Sequence, residues 1–199
     1  MEENIEKIEF TIFDTETTGL DPITGDRIVE LAGLRIKGQE KLAEFEALVN
    51  PGRDISPGAF AVNKITPEML KSAPSIGTIM PNFLEFIQGS CLCSYNAEFD
   101  LGFINQELKL LGLPVITNFV IFDLLSMARK LLPGLPRYAL WYVASELKIK
   151  STQKHRAFAD VEMCWEVFNK FKDICQEKRI INFTAFSSLF AYQPFKSKD

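Results

Sequence analysis

Apolar and polar residues alternate along the first part of the chain in three runs, Ile8 to Phe13, Arg27 to Ile36 and Lys41 to Val49. Gly25-Asp26 and Lys37-Gly38-Gln39 separate them as turns, so the pattern predicts three strands whose short connections make them antiparallel neighbours. The alternation then stops. Pro51, Pro57, Pro67 and Pro74 punctuate an irregular stretch with room for short helices only, until Ser75 opens a helix whose residues Ile76, Ile79, Phe83, Phe86 and Ile87 recur at helical spacing. Cys91 to Tyr95 reads as a short buried strand, Ala97 to Leu111 as a helix ended by Gly112-Leu113-Pro114, and Phe119 to Phe122 as another strand. Asp123 is placed to cap a helix that stops before Pro133, and two more helices follow near Tyr138 to Leu147 and Ala157 to Asp173. Three antiparallel strands followed by alternating helix and strand imply an α/β fold, a mixed sheet with helices on its faces. The last stretch, Arg179 to Asp199, crowds Ile180, Ile181, Phe183, Phe186, Leu189, Phe190 and Tyr192 together. It reads either as a final helix packed on the domain or as a docking segment for a partner.

Composition narrows the class. In 199 residues there are 22 Lys and Arg against 26 Asp and Glu, a formal charge of −4, so a basic nucleic-acid coat is excluded. With 47% hydrophobic residues the chain can build a core of its own. No uncharged window, Leu110 to Phe122 among them, reaches the roughly 18 to 20 residues a membrane span needs. The acidic start Met1-Glu2-Glu3-Asn4 lacks the features of a secretory signal, which makes the cytoplasm the expected location, with no membrane partner. Cys91, Cys93, Cys164 and Cys175 form no C-x-x-C pair and fit buried free thiols.

Candidate chemistry comes from the acids. Asp14 and Glu16 end the first strand, and period-2 geometry puts both on the face of Phe10 and Ile12. Burying unpaired carboxylates costs several kcal/mol each, so the two are paired with cations, bind a metal, or turn outward where the strand ends. Asp160 falls on the apolar row Asp160, Cys164, Val167, Phe171 of its helix, and Asp100 aligns with Phe103 and Ile104, one turn after Asn96. Either helix-start acid alone fits a favourable helix dipole. Together, four inward acids are explained by one cation site, and carboxylate-only ligation suits Mg²⁺ or Mn²⁺. His155, the only histidine, precedes Asp160 by five residues and is the natural proton acceptor near neutral pH.

Competing motifs fail at definite positions. Asp14 to Gly19 starts like an EF-hand loop, yet the twelfth place, which needs a bidentate Glu, is Gly25. The aspartyl-phosphatase start is approached but its second acid is Glu, and the glycine-rich nucleotide and nucleophile-elbow motifs are missing.

The residues do resemble a known family, the DEDDh 3′→5′ exonucleases of the ribonuclease-H-like fold. Its first motif is similar to Phe13-Asp14-Thr15-Glu16-Thr17-Thr18-Gly19-Leu20, its second to Ser94-Tyr95-Asn96-Ala97-Glu98-Phe99-Asp100, and its third to His155-Arg156-Ala157-Phe158-Ala159-Asp160. Arg27-Ile28-Val29-Glu30-Leu31 and Val62-Asn63-Lys64-Ile65-Thr66 also look familiar, and the match runs in order over residues 8 to 172. Within the family the D-T-E-T-T-G spelling looks most like the proofreading epsilon subunit of bacterial DNA polymerase III and related polymerase exonuclease domains.

The resemblance implies a ribonuclease-H-like mixed sheet and an exonuclease domain over residues 1–175, which leaves residues 176–199 as an aromatic-rich tail, a packed helix or a docking segment. It implies that Asp14, Glu16 and Asp160 hold one Mg²⁺ or Mn²⁺, that Asp14, with Asp100 indirectly, holds a second, and that His155 deprotonates the attacking water. The backbone at Thr15 and Glu16 is expected at the terminal 3′-hydroxyl, Leu20 as a wedge against the last base, and Asn63, Asn96, Phe99 and Phe103 along the substrate path, although Phe99 and Phe103 fit a core equally well. Asn63 and Tyr95 stand where many relatives have histidine, and Arg137 to Trp141 lacks a leucine-aspartate pair common there.

The function so implied is a metal-dependent 3′→5′ DNA exonuclease that releases nucleoside 5′-monophosphates in proofreading or repair. Its partners are single-stranded DNA 3′ ends or frayed primer termini and a DNA polymerase subunit. Two alternatives stay open: an exoribonuclease trimming RNA 3′ ends, and a non-catalytic domain that docks on a polymerase or clamp. With Asp14, Glu16, Asp100 and Asp160 set aside, the remaining 22 acids equal the 22 bases, so the excess charge can be assigned to the site. An acidic chain of this kind holds DNA weakly unless a partner presents it.

Overall fold

The computed structural model describes residues 3–150 and 156–192. The three antiparallel strands form as the alternation predicts: β1 (Glu9–Thr17), β2 (Ile28–Lys37) and β3 (Glu40–Leu48). They are followed by α1 (Pro57–Asn63), α2 (Pro67–Leu70), α3 (Ile76–Ile87), β4 (Cys91–Ser94), α4 (Ala97–Leu110), β5 (Ile121–Asp123), α5 (Leu124–Leu131), α6 (Leu140–Glu146), α7 (Ala157–Glu177), α8 (Phe183–Phe190) and β6 (Ala191–Tyr192). The sheet order is β3-β2-β1-β4-β5-β6. β1 pairs antiparallel with β2 and parallel with β4, β4 and β5 are parallel, and β6 closes the far edge antiparallel to β5. This is the mixed α/β sheet of the ribonuclease-H-like type.

β1 organises both layers because its side chains alternate. Phe10 and Ile12 enter one cluster, with Phe122, Val167, Phe168, Phe171 and Phe186 from β5, α7 and α8. Phe13 enters the other, with Phe83, Leu101, Phe103 and Ile104 from α3 and α4. Phe10 and Phe168 meet edge to face at 4.9 Å, a favoured aromatic geometry.

Three boundaries depart from the sequence pattern. β1 runs on to Thr17, so Asp14 and Glu16 lie inside the strand, opposite Ala32 and Glu30 of β2. β5 starts at Ile121, two residues later than the apolar run, where pairing with Leu92 begins. β6 was not predicted, since two residues carry no readable period.

The aromatic end of the described chain is woven into the sheet layer. The Ile5 amide donates to Ile181, the Phe183 amide to Glu3, and Asn182 caps α8 by accepting from the Ala185 amide at 2.7 Å. Phe186 and Phe190 are buried in the main cluster. Among the described residues no helix is long and apolar enough to cross a membrane. Cys93, Cys164 and Cys175 are buried free thiols and Cys91 is half-buried, with burial pushing the Cys91 and Cys175 thiols up to about 11. Because Phe186 fills space between α7 and β5, Phe186→Ala is expected to destabilise the whole domain by about 3–5 kcal/mol, read as a drop in the urea midpoint. A midpoint unchanged from the parent protein would show that the tail adds nothing to the fold.

Candidate active site

The acids converge where β1 leaves the core. Period-2 geometry keeps Asp14 and Glu16 on the face covered by α7, and Asp160 occupies the first turn of α7. One carboxylate oxygen from each of the three lies within 4.8 Å of the others, and all three side chains are half-buried. Thr15, between the two β1 acids, turns the other way and meets Asp100 of α4. Asp100 accepts the Thr15 amide at 2.9 Å, the Thr15 hydroxyl at 2.7 Å and the Ser94 hydroxyl at 2.5 Å. It stands behind the three-acid cluster and is not one of its members.

This crowding has a clear electrostatic signature. Burial, then repulsion from Asp100, Glu16, Asp160 and Glu30, holds the Asp14 carboxyl well above the usual carboxylate range. Burial, then Asp160, Glu30 and Asp100, lifts Glu16 to about 8, opposed by a side-chain hydrogen bond with Asn63. Asp100 is lifted to about 6 by burial, against the lowering effect of its Ser94 and Thr15 hydrogen bonds. Like-charged carboxylates in partial desolvation suppress their own ionisation, and a cation among them removes the penalty. The donor set is all oxygen, which fits a hard divalent ion.

Two further carboxylates shape the site from outside it. Asp123 accepts the Asn96 and Ala97 amides at 3.0 and 3.4 Å, and also the Leu125 amide and the Ser126 hydroxyl. It therefore starts α4 as well as α5, and it steadies Asn96 in a left-handed conformation, φ 71°. The sequence pattern pointed only to its local capping of α5. Asp26 accepts the Thr18 hydroxyl and the Asp21 amide. A Cβ on Gly19 would sit 2.1 Å from an Asp26 oxygen, which is why glycine stands there. Neither pairing has a local sequence signal, because each bridges separate segments.

The remaining candidate residues are distributed as follows. Leu20 is 83% exposed at the tip of the chain leaving β1. Asn63 is buried, donates to the Thr17 carbonyl at 3.3 Å and accepts the Ile65 amide at 3.1 Å. Asn96 is exposed, and Phe99 is half-buried with its ring 5.0 Å from that of Phe103. Phe103 is 1% exposed, so it does not line a solvent-open path; α4 turns it into the core, where it backs Phe99. The Thr15 amide is directed at Asp100, so it is not free to meet a 3′-hydroxyl. His155 lies outside the described residues; Arg156, which follows it, is the first described residue before α7.

A family model described as Exonuclease matches residues 11–168. The chain belongs to the exonuclease family. Exonucleases of this family are metal-dependent, and the acidic cluster is of the kind they require. The chain is 38% identical over 169 residues to the PolC-type DNA polymerase III of Caldanaerobacter subterraneus, matching 85% of this chain and 12% of that one. It is 37% identical to the DNA polymerase III epsilon subunit of Treponema pallidum, over 82% of this chain and 76% of the relative. The chain thus spans about an eighth of the length of the PolC-type relatives it matches. Among solved structures, exonuclease X in complex with 5′ overhanging duplex DNA is similar at TM-score 0.65 and 26% identity, covering 85% of this chain and 93% of that one. E. coli exonuclease I with a dT13 oligonucleotide reaches TM-score 0.77 at 19% identity, covering 87% of this chain and 43% of the other chain.

The raised carboxyls fix the sign of a pH response. Between about 4.5, where an unfolded Glu16 gives up its proton, and about 8, where the folded one does, the native state binds more protons than the unfolded state. Stability of metal-free protein therefore falls as pH rises through this window. Added Mg²⁺ or Mn²⁺ requires the ionised carboxylates, so its stabilisation grows over the same window. Melting scans in chelator and in metal at stepped pH check both trends, and a chelated protein that becomes steadily more stable toward pH 8 would contradict the first.

Proposed function

We propose that this exonuclease is a metal-dependent 3′→5′ DNA exonuclease that removes nucleoside 5′-monophosphates from single-stranded 3′ ends or frayed primer termini, acting in proofreading beside a DNA polymerase subunit. The observation that carries this reading is the cluster of Asp14, Glu16 and Asp160 within 4.8 Å, backed by the Thr15–Asp100 pair. Support for DNA as substrate comes from the polymerase III relatives and from the exonuclease X complex with duplex DNA. The bacterial replication relatives likewise favour a cytoplasmic setting.

In this reading Asp14, Glu16 and Asp160 hold one Mg²⁺ or Mn²⁺, and Asp14 with Asp100 holds a second, Asp100 acting indirectly. Ions held there would supply charge stabilisation for a phosphodiester displacement and would lower the pKa of a bound water. The protein residues supply the rest. His155 accepts the proton of the attacking water. Leu20, exposed beyond β1, wedges against the terminal base, while the main chain at Glu16 orients the 3′-hydroxyl. Asn96 and Phe99 border the path, with Phe103 supporting Phe99 from the core and Asn63 steadying both the Thr17 carbonyl and Glu16.

The test is direct. The protein is incubated with 5′-labelled single-stranded DNA, a mismatched primer-template and an RNA of the same sequence, in Mg²⁺ or Mn²⁺. A one-nucleotide ladder on DNA is expected, lost with EDTA and with Asp14→Ala, and slowed by roughly 100- to 10,000-fold in His155→Ala. Faster loss of the RNA would move the assignment to RNA 3′-end trimming. Absence of metal-dependent release from any 3′ end would leave a non-catalytic domain on a polymerase or clamp.

A further inference from the structure

The helix fastened to the exit of β1 is built inside out. A surface helix ordinarily turns an apolar stripe toward the domain and its polar residues toward water. α1 has no charged residue, and the one side chain it buries is polar Asn63. Phe60 and Val62 are 41% and 49% exposed and join none of the three hydrophobic clusters. An apolar face left open in this way marks a place where something binds.

Both ends of α1 are held by the chain that leaves the acid cluster. Ser56, its N-cap, donates its amide to the Thr18 carbonyl at 2.9 Å, and Asn63 donates to the Thr17 carbonyl at 3.3 Å and hydrogen-bonds with Glu16. The face is therefore part of the rim beside Glu16, and Lys64 completes it. Lys64 closes the helix in a left-handed conformation, φ 58° and ψ 17°, with its amide on the Phe60 carbonyl at 3.1 Å. Lys148 and Arg179 adopt the same backbone beyond α6 and α7, so a basic residue at a helix end, where the last carbonyls attract it, is not by itself distinctive. What sets Lys64 apart is its side chain. Its Nζ lies 5.9 Å from the centre of the Phe60 ring, and among the described residues it has no carboxylate partner. An open ring beside an unneutralised cation is the combination that holds a single nucleic-acid strand, the ring stacking on a base and the cation meeting phosphates. A protein partner fits less well, because lysine is depleted from protein–protein interfaces.

We propose that α1 and Lys64 form the platform on which the single strand lands, with Phe60 stacking on a base and Lys64 contacting the strand's phosphates. The proposal rests on the reading of the chain as an exonuclease acting on single-stranded ends and adds residues that hold the strand. It also places positive charge locally, where an acidic chain without a basic coat needs it.

Phe60→Ala and Lys64→Gly test this, glycine being at ease in the left-handed conformation and so removing the charge without straining the helix end. Binding of a 5′-fluorescein-labelled oligothymidylate is followed by anisotropy in Ca²⁺ over a salt series, with kcat and KM on the same strand in Mn²⁺ and the melting temperature measured alongside. Phe60→Ala is expected to raise Kd and KM by roughly 5- to 100-fold, the cost of one lost base stack, with kcat near the parent value. Lys64→Gly is expected to weaken binding at low salt and to flatten the slope of log Kd against log salt by about 0.7, the share of one phosphate contact to a single strand. Its melting temperature stays at or above that of the parent. Unchanged Kd and KM in both variants would overturn the proposal and leave the face to a protein partner. A lower kcat at unchanged KM would overturn it by making α1 a support for Glu16, and losses of affinity matched by falls in melting temperature in both variants would make the face structural. A parent protein that binds the oligonucleotide but releases nothing from any 3′ end refutes the exonuclease reading, while the two binding losses still decide the platform.

Discussion

Mutual repulsion among half-buried carboxylates is the constraint around which this molecule is arranged. Asp14, Glu16 and Asp160 are forced together by a central strand and by a long helix packed across it, and Asp100 and Glu30 add negative potential from behind. A folded chain that holds them stores an electrostatic penalty which a divalent ion relieves, so the same packing that makes the apoprotein less comfortable makes it a receptor for the ion. The flanking chemistry is consistent with this. The carboxylates around the three-acid cluster each have protein partners: Asp100 has Thr15 and Ser94, Asp123 two helix starts, and Glu30 and Glu107 arginines.

The two arginine braces share a design. Arg27 grips buried Glu107 through Nε and Nη2 at 2.7 and 2.6 Å, and the amide of the next residue, Ile28, also reaches it. Arg156 grips Glu30 in the same manner, again with the amide of the next residue. In each case a buried carboxylate receives a planar fork and a backbone donor together, which fixes the direction of the chain as well as the charge. One brace ties α4 to the residue just before β2 and its first residue, and the other ties the start of α7 to the third residue of β2. Both helices that bring acids to the site are thereby referenced to the same strand.

Much of this arrangement was legible in the sequence, and the reason is periodicity. Asp14 and Glu16 could be placed on one face because a strand repeats every two residues, and Asp160 could be placed inward because it shares a helical row with Cys164, Val167 and Phe171. The mixed sheet followed from the order of the patterns. Elements held by long-range pairing left no such trace. Nothing near Glu30 announces Arg156, which lies 126 residues away, and nothing in Asp123 beyond its helix cap announces Asn96. The two-residue β6 exists only because β5 offers it an edge, and Phe103 was ambiguous because a helix near a site presents the same apolar residues to the core and to the path. Periodic patterns encode which face a residue occupies; they carry little about which distant partner it finds.

The position of β1 in the sheet has a bearing on dynamics. It is paired with β2 from Glu9 to Thr17 and with β4 at Phe10, Thr11 and Ile12, so the stretch just before Asp14 is held on both sides, and Asp14 and Glu16 on the β2 side. Local fraying begins at edges and loops, where few backbone bonds must break, whereas releasing an interior strand means parting two ladders at once. The two acids therefore follow directly on a doubly paired stretch of the strand, whereas exposed Leu20 lies beyond its last paired residue, Thr17. The chain thus separates what must stay fixed from what must yield to a passing strand within six residues, from Asp14 to Leu20.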